Sequence, residues 1–129
     1  MRTRLMVIAL LFAAGSFPTF AQKPFESQAE FTAWLTSGSW IEESDPSNTL
    51  LFRYTFTKNK VQMDMFNIEM DEAKDRYPAE KWQFCKIDGR HATITMGKSK
   101  LRCGTKNDVV ITRLGNDRMM LRNTNYRRR

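Results

Sequence analysis

The chain has 129 residues, a length that fits one domain and leaves no room for a second hydrophobic core of useful size. Its 21 Lys and Arg outnumber its 14 Asp and Glu, which gives a formal net charge of +7 at pH 7. The single histidine has no partner histidine and the two cysteines are candidates for a disulfide, so a zinc site lacks its ligands, and a Ser-His-Asp triad also lacks its parts. We therefore expect no enzyme.

The first 21 residues have the three parts of a secretory signal peptide. Arg2 and Arg4 form a positive start, residues 5–14 are an uninterrupted apolar run, and Thr19-Phe20-Ala21 ends in residues that a signal peptidase accepts. The run is shorter than the roughly 20 apolar residues that span a bilayer. We predict a cleaved signal peptide at residues 1–21, a single domain at residues 22–129, and a secreted or periplasmic product.

A short helix is predicted after the leader. Ser27 and Glu30 have the spacing of a capping box, and Phe31, Trp34 and Leu35 recur at the spacing of one helix face. The helix is predicted to end near position 38.

Strand patterns follow, beginning with residues 39–43, which are stopped by turn-forming residues at 45–48. Alternating apolar residues then predict a half-buried strand at 50–56. In the next strand the apolar positions change phase after Met65, from which we infer a bulge near Met65-Phe66. Residues 71–80 are interpreted as a charged connection.

The second half of the chain predicts two hairpins. Residues 80–87 and 90–97 flank Asp88-Gly89, a hairpin signal, and residues 109–112 and 119–121 form the last pair. The total is seven or eight strands. Such a meander protects its edges by closing into an up-and-down barrel or by stacking as a sandwich, and hairpin connectivity favours the barrel. The predicted fold class is an all-β antiparallel up-and-down barrel or meander with a short N-terminal helix.

Export favours a disulfide between Cys85 and Cys103, because two cysteines in an oxidising compartment usually pair. If residues 101–104 formed a third consecutive strand after 80–87 and 90–97, the two cysteines would be about 9–10 Å apart, too far to bridge. Either residues 98–106 form a loop that folds back across the sheet, or the bond does not form.

The motif Gly38-Ser39-Trp40, placed after a short helix, resembles the G-x-W signature that opens the first strand of lipocalins and of smaller bacterial lipocalin-like proteins. In that family a basic residue of the final strand packs over the tryptophan. The resemblance suggests Arg122 for this role, with Arg127 or Arg128 as alternatives. It implies non-catalytic binding of a small hydrophobic or amphipathic ligand in the barrel mouth. The chain is shorter than a typical lipocalin and lacks the long final helix.

Bulky side chains on the predicted strand faces either fill a small barrel or line a ligand cavity inside it, and the filled core is favoured because a small chain rarely spares core volume. These candidate ligand-binding or core residues are Trp40, Phe52, Tyr54, Phe56, Met63, Met65, Trp82 and Phe84.

No pattern predicts a cofactor or a metal. His91 is interpreted as a surface residue beside a hairpin turn. The acidic residues at positions 69–75 lack the spacing and the glycine of a calcium loop and are interpreted as a solvated face.

Basic residues are concentrated in two segments that could contact an anionic surface. They are Lys98, Lys100, Arg102, Arg127, Arg128 and Arg129. The C-terminal arginines are interpreted either in this way or as a solubilising, disordered end. Nucleic acid is disfavoured as a partner by export.

Three functions remain open from sequence. The first is an exported lipocalin-like carrier of a small apolar ligand, and the second is a protein-binding module of the cell envelope, such as an inhibitor or an immunity protein. The third is an envelope-associated protein that uses its basic residues on an anionic surface. An open cavity of about 300 Å³ or more would favour the carrier, and a filled core would favour surface recognition.

Overall fold

The computed structural model describes residues 23–129, so the predicted signal peptide lies outside the described residues. The described chain contains one helix, α1 (Gln28–Leu35), followed by nine strands. The strands are β1 (Ser39–Glu42), β2 (Leu50–Phe56), β3 (Lys60–Asn67), β4 (Glu72–Arg76), β5 (Glu80–Asp88), β6 (His91–Gly97), β7 (Asp108–Gly115), β8 (Arg118–Leu121) and β9 (Thr124–Arg128).

The fold is a closed antiparallel β-barrel of eight strands. Around the barrel the order is β1, β2, β3, β5, β6, β7, β8 and β9, and β9 returns to β1, where Arg128 is the register partner of Trp40. The extra strand, β4, pairs only with the second half of β3. The structure therefore confirms the predicted barrel. An eight-stranded barrel has an interior just wide enough for side chains to fill.

Helix α1 forms as its capping residues predict. The Ser27 hydroxyl accepts a hydrogen bond from the backbone N–H of Glu30 at 3.0 Å, and the Glu30 carboxylate accepts one from the N–H of Glu26 at 3.0 Å. The predicted face of Phe31, Trp34 and Leu35 is buried. The Trp34 indole N–H donates to the Asn116 carbonyl in the turn after β7, and the Phe25 N–H, just before α1, donates to the Gly89 carbonyl in the turn after β5, both at 2.9 Å. Helix α1 therefore covers that end of the barrel.

The bulge inferred near Met65-Phe66 is confirmed, although it does not affect the pairing of β3 with β2. The ladder between β2 and β3 is regular from Leu50–Asn67 to Phe56–Val61, and the register shift at Met65-Phe66 occurs only in the pairing with β4. Phe66 therefore points outward, where it is buried with Ile41 and Leu51 in a second apolar cluster on the outside of the barrel. The apolar positions of β3 change from the inner to the outer face because apolar clusters lie on both sides of the barrel wall.

Two expectations about charged segments were wrong. Residues 71–80 are not only a connection, because they include strand β4, whose residues are mostly exposed. The C-terminal segment is not a disordered end: Thr124–Arg128 forms β9, which pairs with β8 on one side and β1 on the other. Without β9 the barrel would have two open edges.

The disulfide between Cys85 and Cys103 is present, with the two Cα atoms 5.8 Å apart. Residues 98–107 form a loop rather than a strand, and the loop crosses the outer face of β5. Of the two alternatives for residues 98–106, the loop that folds back across the sheet is therefore the correct one. The hairpin between β5 and β6 turns at Gly89-Arg90, one residue later than expected, since Asp88 still pairs with His91. Gly89 has φ 64°, which glycine adopts without strain.

Within residues 23–129, no helix is both long enough and apolar enough to cross a membrane.

Candidate functional site

Trp40 is fully buried at the closed end of the barrel and is covered by Arg128. The Arg128 guanidinium carbon lies 4.6 Å from the centre of the Trp40 ring. Arg128 also donates to the carbonyl oxygens of Trp34 at 2.9 Å and Asn116 at 2.7 Å, and it pairs with Asp117 at 3.1 Å. Burial lowers the pKa of Arg128, and Asp117 opposes that shift. The basic residue over the tryptophan is thus Arg128, one of the two alternatives, and not Arg122.

Gly38 lies in the same close packing. A Cβ atom at this position would lie 3.0 Å from the carbonyl oxygen of Arg129 and 3.2 Å from Cγ of Arg128. Arg122, the first choice for the tryptophan contact, is instead exposed in the turn between β8 and β9, with φ 52°. The first and last strands therefore meet through the glycine and the tryptophan of the motif.

Arg113 fixes α1 to the barrel and was not singled out from the sequence. Its side chain is 4% exposed and lies beside the rings of Phe25 and Trp34, at 5.0 and 5.3 Å. It pairs with Glu30 at 2.9 Å and donates to the carbonyl oxygen of Pro24 at 3.4 Å. Burial works to raise the pKa of Glu30, but the Glu26 N–H and Arg113 outweigh it and hold that pKa below its usual value. The signal in the sequence was a lone arginine that follows the apolar residues 109–111 in a predicted strand.

The bulky residues predicted for the interior occupy different depths. Four are buried in the main core cluster inside the barrel: Trp40, Tyr54, Phe56 and Trp82. Three are partly buried against that cluster: Phe52, Met63 and Phe84. Met65 is partly exposed and lies outside the cluster. Ring centroids lie 6.0 Å apart for Tyr54–Phe56 and 5.9 Å for Phe56–Trp82. Aromatic side chains thus fill the part of the barrel next to α1.

Two buried tyrosines lie above this filled region, towards the open end. The rings of Tyr54 and Tyr126 meet edge to face at 5.3 Å. Burial raises the pKa of both hydroxyls, and Tyr54 and Glu42 raise that of Tyr126 further, while the nearby Arg122 works against the shift. The tyrosines are therefore neutral over the physiological pH range.

The barrel wall opens between β3 and β5, at the end opposite α1. Only two register pairs, Lys60–Lys81 and Val61–Glu80, join these strands before β3 turns to pair with β4. A cleft of about 300 Å³ lies at this opening, and we call it the mouth cleft. It is lined by Phe52, Met63, Tyr77, Pro78, Glu80 and Lys98.

The mouth cleft combines an apolar wall with one charge of each sign. Phe52 and Met63 point inward from β2 and β3, and the ring of Tyr77 lies 6.0 Å from that of Phe52. Glu80 and Lys98 provide the charged groups. The volume is at the lower limit for small-molecule sites, so the cleft can hold the apolar part of a small amphipathic ligand. Tyr77 and Pro78 were missed because they fall in the segment interpreted as a connection.

A second apolar depression, the outer groove, lies on the outside of the barrel and has a volume of about 250 Å³. Its apolar residues are Ile41, Leu51 and Ile68, and Arg127 and Arg129 lie on its border. Glu43, also on the border, pairs with Arg118 at 2.7 Å and with Arg127 at 3.5 Å. Hydrogen bonds from Arg118 lower the pKa of Glu43.

The structure separates the two groups of predicted anion-binding residues. Arg127, Arg128 and Arg129 are on β9 or directly after it, and each pairs with a carboxylate, that of Glu43, Asp117 and Asp71 respectively. Lys98, Lys100 and Arg102 lie together in the disulfide-linked loop, and no carboxylate in the described part of the chain forms an ion pair with them.

Side chains that could hold a metal ion do not converge within residues 23–129. No set of three or more His, Cys, Asp or Glu side chains has metal-binding geometry there. His91 is exposed, as expected, and its Nδ1 lies 2.9 Å from the Thr112 hydroxyl. Glu72 pairs with Lys74, two residues further along the exposed strand β4, at 3.3 Å.

Comparison with known protein families, with characterised proteins and with solved structures found no match to this chain.

Proposed function

We propose that this chain is an exported, non-catalytic, lipocalin-like protein that binds a small amphipathic ligand in the mouth cleft. The observation that carries the proposal is the position of the cleft. It is the place where inward-facing side chains of the closed barrel, Phe52 and Met63, reach a solvent-accessible cavity large enough for a small molecule.

Support for a lipocalin-like protein comes from the closed end. The tryptophan of the Gly38-Ser39-Trp40 motif packs under Arg128 from the last strand, which is the contact that the resemblance implies. The short α1 precedes the motif and closes the same end. Export is supported by the leader pattern and by the Cys85–Cys103 disulfide, which persists in an oxidising compartment.

The filled interior limits what the ligand can be. Aromatic rings occupy the barrel next to α1, so a deep pocket for a long acyl chain is not available there. The ligand that fits is small, places its apolar part against Phe52, Met63 and Tyr77, and directs its polar part to Glu80 or Lys98. Binding of this kind needs no reacting group from the protein.

The test uses protein produced from the full chain in an exporting bacterial host. Intact mass measurement should show loss of residues 1–21. Binding is then measured by the fluorescence of N-phenyl-1-naphthylamine, a neutral aromatic probe whose uncharged rings do not respond to surface charge. Tyr77→Ala removes an exposed wall of the cleft and should weaken binding by about tenfold, the loss expected when one aromatic contact is removed.

Val110→Ala is the matched control, because Val110 is an exposed apolar residue, 50% accessible, on β7 and outside the mouth cleft. It should leave probe affinity unchanged. The binding proposal fails if the probe does not bind, or if both variants weaken binding equally. Retention of the leader by protein in the cytosol would contradict export without bearing on the cleft.

A second candidate function is a protein-binding module of the cell envelope, an inhibitor or an immunity protein, and the outer groove favours it. Its apolar floor is open and Ile68 is 40% exposed, while Arg127 and Arg129 lie at its border. A partner that fits would insert an apolar side chain between Leu51 and Ile68 and place a carboxylate near Arg127.

The two candidates are separated by one substitution. Ile68→Glu places a negative charge in the outer groove and should abolish capture of an envelope partner by the immobilised protein, while probe binding in the mouth cleft is retained. Val110→Glu, with the same charge change on β7, should leave capture intact. Equal capture by both variants would exclude the outer groove as the interface.

A further inference from the structure

A positively charged cleft lies on the outside of the barrel, where β3 and β5 pair. Lys60 and Lys81 are direct register partners on these two strands. Their neighbours Val61 and Trp82 are buried inside, so the two lysines point outward on the same face. Like charges directly opposite each other destabilise a sheet. The pair therefore concentrates positive charge at one point on the outside of the barrel.

A third lysine joins them from the disulfide-linked loop. Lys100 lines the same depression, the lysine cleft, which has a volume of about 440 Å³. The loop is held across the outer face of β5 by the bond between Cys103 and Cys85, with the Gln83 amide nitrogen 4.0 Å from the Cys103 sulfur. The cross-link thus places Lys100 beside a lysine pair that is distant in sequence.

No acidic residue of the described chain neutralises this charge. The lining consists of the three lysines with Asn59, Trp82, Gln83 and Leu101. The nearest acid in sequence, Glu80, lines the mouth cleft instead. None of the three lysines forms an ion pair within residues 23–129. The arginines of β9 differ in this respect, because each has a carboxylate partner.

We propose that the lysine cleft binds a phosphate-type oxyanion. Three ammonium groups supply the charge, and the amides of Asn59 and Gln83 can donate hydrogen bonds to the oxygens. The indole N–H of Trp82 is already used, since it donates to the Thr57 carbonyl at 2.7 Å. The oxyanion is either a free phosphate compound or the headgroup of an anionic lipid, and this site is independent of the mouth cleft.

The experiment has one arm for each source of phosphate. Isothermal titration with inorganic pyrophosphate tests the free oxyanion, and co-sedimentation with vesicles of phosphatidylglycerol, compared with phosphatidylcholine, tests the headgroup. Both use protein produced from the full chain. Lys60→Gln/Lys81→Gln is the test variant. Lys86→Gln/Lys106→Gln is the control, because it removes the same charge from two exposed residues that do not line the cleft.

Binding in at least one arm is expected, weakened by about tenfold or more in the test variant and by less than about twofold in the control. Binding of pyrophosphate alone identifies a free oxyanion, and binding of vesicles alone identifies a headgroup. Absence of binding in both arms overturns the proposal, as does an equal loss in the two variants, which would indicate net charge alone. Circular dichroism of each variant confirms that the barrel is folded. Cys85→Ser/Cys103→Ser, which frees the loop, should also weaken binding, because Lys100 is no longer held in place.

Discussion

Removing Glu30 should destabilise the protein more than removing its buried partner, Arg113. The Arg113 side chain is 4% exposed and that of Glu30 is 28% exposed. Glu30→Ala leaves a buried guanidinium with the Pro24 carbonyl at 3.4 Å as its remaining hydrogen-bond acceptor. Hydrogen bonds to charged groups contribute about 1.5–3 kcal/mol, so we expect a loss of about 2 kcal/mol in the free energy of unfolding.

Arg113→Met should cost less than about 1 kcal/mol. Methionine fills a similar volume between Phe25 and Trp34, and the carboxylate left behind is solvated. The double variant should be more stable than Glu30→Ala alone, because it removes the stranded charge. Equilibrium unfolding in urea at pH 7 measures all three. The reasoning is refuted if Arg113→Met is at least as destabilising as Glu30→Ala.

Three further predictions concern Arg128, the disulfide and the pH dependence of stability. Arg128→Gln should lower the free energy of unfolding by about 3 kcal/mol, because it removes the ring contact and the charged hydrogen bonds; an unchanged urea midpoint would contradict this. Cys85→Ser/Cys103→Ser should cost about 3 kcal/mol by loop entropy, and a cost below about 1 kcal/mol would show that the loop is ordered without the bond. The lowered pKa of Glu43 stabilises the folded protein above the ordinary pKa of 4.5, and this stabilisation is lost as the pH falls through the folded pKa. The raised pKa of Tyr126 gives a stabilisation that is present below the ordinary pKa of 10.0 and is lost as the pH rises above that value. The urea midpoint should therefore fall at low pH and at high pH, and a midpoint that does not change with pH would contradict the prediction.

The parts of the fold that could be predicted from sequence are those set by local periodicity. Ser27 and Glu30 indicate the start of α1 because the cap is a contact within one helical turn. The alternation at Phe52, Tyr54 and Phe56 indicates β2 because one face is buried and the other is not. Closure into a barrel followed from the hairpin connections.

The elements that could not be predicted depend on contacts distant in sequence. Residues 72–76 are charged on both faces, and β4 exists because β3 offers it backbone partners. Residues 124–128 contain one apolar side chain, Tyr126, and form β9 because β8 and β1 each lack a partner without it. Phe66 marked a change of phase, but sequence could not show that a second apolar cluster existed outside the barrel.

The candidate sites show the same division. Phe52 and Met63 were recognised because they lie in regular strands, whereas Tyr77, which completes the mouth cleft, follows a strand that periodicity does not reveal. Lys60 and Lys81 are 21 positions apart in the printed sequence, and only the β3–β5 register brings them together. Basic composition pointed to two segments, the arginine tail, whose side chains the structure pairs with acids, and residues 98–102, of which Lys100 lines the lysine cleft.

The central claim is that the barrel is filled next to α1, so that a small apolar or amphipathic ligand binds in the mouth cleft and not inside the barrel. The most direct test is NMR of protein labelled at the methionine methyl groups, titrated with N-phenyl-1-naphthylamine. We expect contacts between the probe and the Met63 methyl group, and none to Met119, which is fully buried in the core. Probe contacts to Met119 would show a ligand inside the barrel and would contradict the account, as would a titration in which Met63 does not respond.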